Sequence, residues 1–253
     1  MYLIQLINDI NNALEFTGIL KIPFYRSSEE SYKQLYKSAA WFPITGLLLG
    51  LLFFFINQYF SLNNEFQAII FVFLYSIITR ATHIDGFVDC CDAFFGGYDE
   101  KRRLDILKDS NIGVFAGCGL FFLLYFKYML YKYLIINNMI TYILISMILS
   151  RNLFIYVAIG ANYPREKGTG KIFVENISFR ELIISIILCL TFIFFIPKVN
   201  LIKILILYVF LTFLSFIFRI YCKNKISGVT GDCLGAWIEI CEVLFMSSIF
   251  ILA

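Results

Sequence analysis

Residues 82–113 read THIDGFVDCCDAFFGGYDEKRRLDILKDSNIG. The stretch lies between two long apolar runs, yet it gathers carboxylates, the only histidine of the chain and a block of basic side chains. Read as a helix, its first part puts Asp85, Asp89 and Asp92 at i, i+4 and i+7, on a face roughly 60° wide. At about 6 Å and an effective dielectric near 20, each neighbouring pair repels by about 3 kcal/mol. A helix that only fills space gains nothing from such a stripe. A divalent cation turns the repulsion into coordination, which makes these three acids candidate metal ligands. The plainer alternative is a helix end that protrudes into water with its acids solvated. His83 lies about 160° from Asp85 on the helical projection, which suits a packed histidine better than a co-ligand. Gly86 has no side chain and would let a phosphate approach the backbone.

The surroundings of the stretch set its environment. The chain has 253 residues, of which 60% are hydrophobic and 19% aromatic, and its mean hydropathy is +0.80. A soluble domain cannot hide that much apolar surface, so the expected class is an all-α, polytopic integral membrane protein in the lipid bilayer. A net charge of +3 with no dense basic run gives no support for a nucleic-acid partner. Seven scattered cysteines form no disulfide framework and fit a reducing compartment. The N-terminus carries Asp9 where a signal peptide would be basic, so no cleavage is expected.

Residues 1 to about 20 place Leu3, Ile7, Ile10 and Leu14 on one side, the pattern of an amphipathic interfacial helix. A polar segment from Arg26 to Lys37 follows. Seven apolar runs are then expected as spans of a ~30 Å hydrocarbon core. They are Trp41–Phe60, Phe66–Ile78, Ile112–Ile136, Met139–Ala161, Leu182–Ile196, Leu201–Ile220 and Leu234 to the C-terminus. No repeat or low-complexity linker divides residues 1–253, so one domain is expected. With the N-terminus inside, most lysines and arginines fall on the inner side. Lys127, Lys132, Lys198 and Lys203 fall outside and Arg151 lies within a span. The positive-inside rule then expects a cytoplasmic (inner) membrane protein whose active site faces the cytoplasm.

Three further constellations carry chemistry. Arg102, Arg103 and Lys108 follow the Gly96-Gly97 turn, beside Asp109, and are suited to a diphosphate. Taken alone, they are better explained by an ordinary positive-inside loop with local ion pairs. Asp232 and Glu239 are seven apart on one helical face, with Gly235 and Ala236 leaving a recess for a metal-bound phosphate. Small-residue helix packing is the alternative there. Arg151 inside a span points to function or to an ion pair with one of these acids, and Arg165 and Lys171 add cations around Gly168 and Gly170.

Taken together, WFPITGLLLG (41–50), HIDGFVDCCDAFF (83–95), RRLDILKDSNIGVFAG (102–117) and GVTGDCLGAWIEICE (228–242) resemble the cobalamin synthase family of adenosylcobinamide-GDP ribazoletransferases. Ser227 stands where that pattern has a glycine. The resemblance implies a magnesium-dependent transferase that joins adenosylcobinamide-GDP to α-ribazole or its 5′-phosphate, giving adenosylcobalamin or its 5′-phosphate and GMP. It implies Mg2+ on Asp85, Asp89 and Asp92, and a base at Asp92 or Asp232. Arg102, Arg103, Lys108, Asp109, Arg151, Arg165, Lys171 and Glu239 are the implied substrate-binding residues. A homo-oligomer is compatible with the sequence and is not required by it. Two rivals fit less well. A CDP-alcohol phosphotransferase needs Asp-Gly-x-x-Ala-Arg, and after Asp85-Gly86 the alanine position holds Asp89, which breaks that pattern. A cation transporter would want carboxylates inside the first, third, fifth and sixth spans, which have none.

Overall fold

The computed structural model of the chain describes residues 2–23, 33–197 and 199–252. Arg26, which opens the polar segment, and Lys198, expected on the outer side, lie outside the described residues. In chain order the helices are α1 (Tyr2–Thr17), a 3-10 turn (Leu35–Trp41), α2 (Phe42–Tyr59), α3 (Asn64–Ile78) and α4 (Thr82–Cys91). Then come α5 (Glu100–Ile106), α6 (Val114–Ile136), α7 (Ile140–Ala158), α8 (Lys171–Asn176), α9 (Phe179–Phe195), α10 (Leu201–Ile226) and α11 (Gly231–Leu252). No strand occurs among the described residues.

A helix that is apolar all round belongs inside a bundle, and α7 is the case here. Every residue from Ile143 to Ala158 is buried, against α2, α9, α10 and α11. The approach of α2 depends on Gly46 and Gly50, one turn apart. A Cβ at Gly46 would fall on the Met147 carbonyl oxygen, and one at Gly50 would lie 2.7 Å from Leu144 Cα. This is the small-xxx-small packing that lets helices associate in lipid, where no hydrophobic force drives them together. The outward surfaces carry exposed Phe55, Phe73, Phe121, Ile187, Ile206 and Phe213, an apolar belt suited to lipid.

Among the described residues five segments are long and apolar enough to cross a bilayer: Leu35–Tyr59, α6, α7, α10 and the stretch Gly231–Ile251 of α11. The pair α3 and α4 makes a sixth only as one broken span. The chain is thus a polytopic all-α membrane protein. All seven apolar runs are helical, but α3 has 15 residues and α9 has 17. At 1.5 Å per residue these give about 23 and 26 Å, short of the core thickness.

The break between α3 and α4 turns the chain by 92°. Arg80 and Ala81 both adopt left-handed backbone, φ 54° and 52°. Such residues are costly without glycine and persist only where their surroundings fix them. Two bonds close the end of α3: Arg80 N–H donates to Ile77 O (3.0 Å), and Ala81 N–H to Ser76 O (2.7 Å). Ile19 N–H donates to Ile78 O (2.8 Å) from the end of α1. After this turn α4 runs nearly at a right angle to α3 and carries the acidic stripe with it.

Charged side chains also lie in the middle of the bundle. Lys127 on α6 sits 2.5 Å from Glu239 and 2.8 Å from Glu242, both on α11. Arg151 on α7 pairs with Glu242, and the Tyr75 hydroxyl on α3 donates to Glu239 (2.7 Å). All five are buried. Two cations meet two anions, and the tyrosine supplies a further donor, so nothing charged is left without a counter-ion. Lys127, expected on the outer side, is instead inside the bundle, because the glutamates of α11 face it. Glu239 and Arg151, named above as substrate contacts, belong to this same network.

Candidate functional site

The site forms where α4 packs on the first turn of α11. Contact there is backbone to backbone. A Cβ at Gly86 would lie 2.7 Å from the Asp232 carbonyl oxygen, one at Gly170 2.5 Å from Gly231 N, and one at Gly235 3.2 Å from His83 Cα. The space beside Gly86 is therefore filled by α11 and does not receive a phosphate. What the glycine does is bring the acids of α4 up to Asp232.

Asp85 is exposed, while Asp89, Asp92 and Asp232 are part-buried. Burial first, then the charges of Asp85, Asp232 and Asp92, push the Asp89 carboxyl up to about 7, with Arg165 opposing. The repulsion inferred from spacing is thus present, and a fourth acid from α11 joins it. Asp92 is committed elsewhere. It opens a stretch of π-helix, Asp92–Gly96, that re-aims the end of α4. Its two oxygens accept from Gly113 N–H (2.6 Å) and Ala116 N–H (2.8 Å), capping the N-terminus of α6. A Cβ at Gly113 would lie 2.6 Å from that carboxylate.

Arg165 is the cation nearest these acids. Its Nη2 is 3.5 Å from Asp232 Oδ2, and its buried Nε and Nη2 have no hydrogen-bond partner. Asp232 also accepts from the Thr230 hydroxyl (3.1 Å). The other basic candidates are dispersed. Arg103 donates to the carbonyls of Lys225 (3.2 Å) and Tyr98 (3.3 Å), tying α5 to the end of α10. Arg102 is exposed, and Lys108 is 3.9 Å from Asp105 on an exposed surface. Asp109 accepts from Asn111 within its own loop. Lys171 donates to Glu166 O (2.9 Å) and faces Glu175 (3.7 Å).

Among the described residues no three carboxylate, histidine or cysteine side chains form a ready-made metal cage. The donor set nevertheless suits Mg2+. That ion prefers hard oxygens and is usually held by one or two carboxylates together with substrate phosphates, not by an all-protein cage. Asp85 and Asp89, crowded by Asp232, offer such a pair.

A cavity of ≈ 280 Å³ adjoins Asp232 on the inner side of α4. Its walls include Phe16, Phe42, Phe154 and Phe173, with His83 among them. His83 is 5% exposed, and its Nδ1 has no hydrogen-bond partner. Burial, then the Arg151 charge, pushes His83 down to about 3, so its ring is neutral. Sequence reasoning missed this chamber. Its phenylalanines come from α1, α2, α7 and α8, and nothing local marks them out among 29. Ser227 adopts φ 59° at the end of α10, the left-handed position for which a glycine is the usual residue. Its hydroxyl donates to Glu100 (2.6 Å).

A family model described as cobalamin-5-phosphate synthase matches residues 9–250. The adenosylcobinamide-GDP ribazoletransferase of Clostridium tetani is 33% identical over 244 residues, 93% of this chain and 94% of its own length. Those of Syntrophobacter fumaroxidans (32%, covering 93% and 95%) and Thermodesulfovibrio yellowstonii (33%, covering 95% and 95%) are similar to the same extent. No solved structure matches the chain.

Proposed function

The chain belongs to the cobalamin-5-phosphate synthase family, and from that premise we propose that it is an adenosylcobinamide-GDP ribazoletransferase acting on α-ribazole or α-ribazole 5′-phosphate. One observation carries the reading: two carboxylates of α4 lie beside Asp232 and a part-buried Arg165 whose Nε and Nη2 lack hydrogen-bond partners. Neither rival class is favoured by the comparisons.

In this proposal Asp85 and Asp89 hold Mg2+, which supplies charge neutralisation of the diphosphate. The unpartnered Nε and Nη2 of Arg165 bind the phosphate oxygens and fix the donor in line with its acceptor. Asp232 takes the proton of the attacking ribose hydroxyl. The new O–P bond forms at the phosphorus nearer the corrinoid, the P–O bond to GMP breaks, and the electron pair leaves with GMP. Asp92 holds α4 against α6 through its two amide bonds, so the acids keep their spacing. Positioning and charge stabilisation suffice for phosphoryl transfer, which needs little covalent help from protein.

Purified protein given Mg2+, adenosylcobinamide-GDP and α-ribazole is expected to release GMP, and to release no CMP from a CDP-alcohol. Absence of GMP with both substrates present, or dependence on a CDP-alcohol, would sink the assignment. We further place the chain in the cytoplasmic membrane with its N-terminus and site inside. The basic residues of α5 and of the loop before α8 lie on the same side of the bilayer as the acids. Ser61, between α2 and α3, is at the opposite end. In a Cys118→Ser background, Ser61→Cys is expected to react only with an impermeant thiol reagent added outside the cell. Labelling from the cytoplasm reverses the orientation.

A further inference from the structure

The aromatic cavity beside Asp232 is not needed to hold a metal or a diphosphate, and its chemistry is different from theirs. Phe16 and Phe173 have ring centroids 4.6 Å apart, Phe42 and Phe154 5.0 Å, and Phe154 and Phe173 5.5 Å. The last pair is perpendicular, at 88°. Phe42 and Phe173 are fully buried and Phe154 nearly so, which leaves the part-buried Phe16 as the ring that a flat aromatic guest can join by stacking or edge-on. Beside the exposed Thr82 and Thr169 and the part-buried Asp232, the wall has one buried polar hook, the His83 Nδ1, left without a partner. An unsatisfied buried nitrogen costs about 1–3 kcal/mol, and a guest that pairs with it recovers that cost.

We propose that this cavity is the slot for the bicyclic heteroaromatic base of the ribonucleoside acceptor, with His83 hydrogen-bonding the base's one free ring nitrogen. The inference rests on the transferase reading above. Size and polarity select the occupant. At ≈ 280 Å³ the cavity is far too small for a corrinoid. A benzimidazole joined to ribose through one nitrogen keeps a single ring acceptor, which pairs with the His83 hook. A lipid chain would fill the space and leave His83 unpaired. Position agrees as well. Asp232 lines the same cavity, so a ribose attached to a base lodged there emerges at the carboxylate proposed to take its proton.

The test uses the full-length protein in detergent. Phe16→Trp narrows the slot and His83→Leu removes the hook. With wild type releasing GMP, each variant is expected to raise KM for α-ribazole at least tenfold and to keep KM for adenosylcobinamide-GDP within twofold. A raised donor KM with an unchanged acceptor KM overturns the inference and leaves the transferase reading standing. Unchanged values for both substrates also overturn it. If Phe16→Trp elutes as an aggregate, His83→Leu alone decides. If wild type releases no GMP, equilibrium dialysis with 5,6-dimethylbenzimidazole still reads the slot. Binding weakened tenfold in His83→Leu upholds the inference, and equal binding to wild type and variant overturns it.

Discussion

Asp89→Asn is expected to lower GMP release by at least about 10³-fold, roughly 4 kcal/mol of transition-state stabilisation, while the protein is still made and inserted. The amide keeps the size of the side chain and loses the charge that a cation needs. Stability should move the other way. Burial and three neighbouring acids raise the Asp89 carboxyl from 3.8 to about 7 in the folded chain. A group raised in this way contributes stability that is present at low pH and is lost as pH rises through about 7. Asparagine carries no charge to be repelled, so the variant should melt no lower than its parent at pH 8, and its melting temperature should depend less on pH between 5.5 and 8. An inactive protein of undiminished stability is the signature of a side chain kept for function at a cost to the fold. Near-normal turnover of Asp89→Asn at low Mg2+ would refute the metal assignment.

Glu242→Ala should have the opposite profile. It removes the carboxylate shared by Lys127 and Arg151 and leaves two buried cations facing only Glu239. Breaking a buried ion pair from one side costs about 3–5 kcal/mol, because the stranded charge has no water to turn to. Little folded protein should be recovered from membranes. The double substitution Lys127→Met with Glu239→Gln, made with Glu242 intact, removes one charge of each sign, leaves Arg151 paired with Glu242 and should retain much of the yield. A network that served substrate instead of the fold would give the reverse pattern: normal yield for Glu242→Ala, and no advantage for the balanced pair. Yield after detergent extraction, with monodispersity by size exclusion, separates the two.

The acidic stripe could be read from the sequence because helical periodicity converts spacing into proximity. Asp85 and Asp89 needed no tertiary information, and neither did the apolar bundle. Asp92 shows the limit. On a regular helix it belongs with the other two, but the π-turn and the amides of Gly113 and Ala116 draw its carboxylate to another helix. Gly86 was correctly expected to permit a close approach. Its partner was wrongly expected, since the backbone of Asp232 occupies the space meant for phosphate. Lys127 and the phenylalanine chamber lay beyond the sequence for a shared reason: each depends on which faces of distant helices meet. An isolated lysine near a helix middle reads as a loop charge until the two glutamates opposite are seen.

The closed set of charges between α6, α7 and α11 also bears on how the chain is made. A lysine or arginine left at mid-bilayer costs about 3 kcal/mol on the insertion scale, and α6 and α7 each carry one. Their counter-ions are on α11, which leaves the ribosome after both of them. Until α11 arrives, the nascent bundle holds two unmatched cations, and α11 by itself brings two unmatched anions. Neither half is content in lipid alone. Assembly is thereby made conditional on α11, and a product that ends before it would be marked for disposal by its own stranded charge.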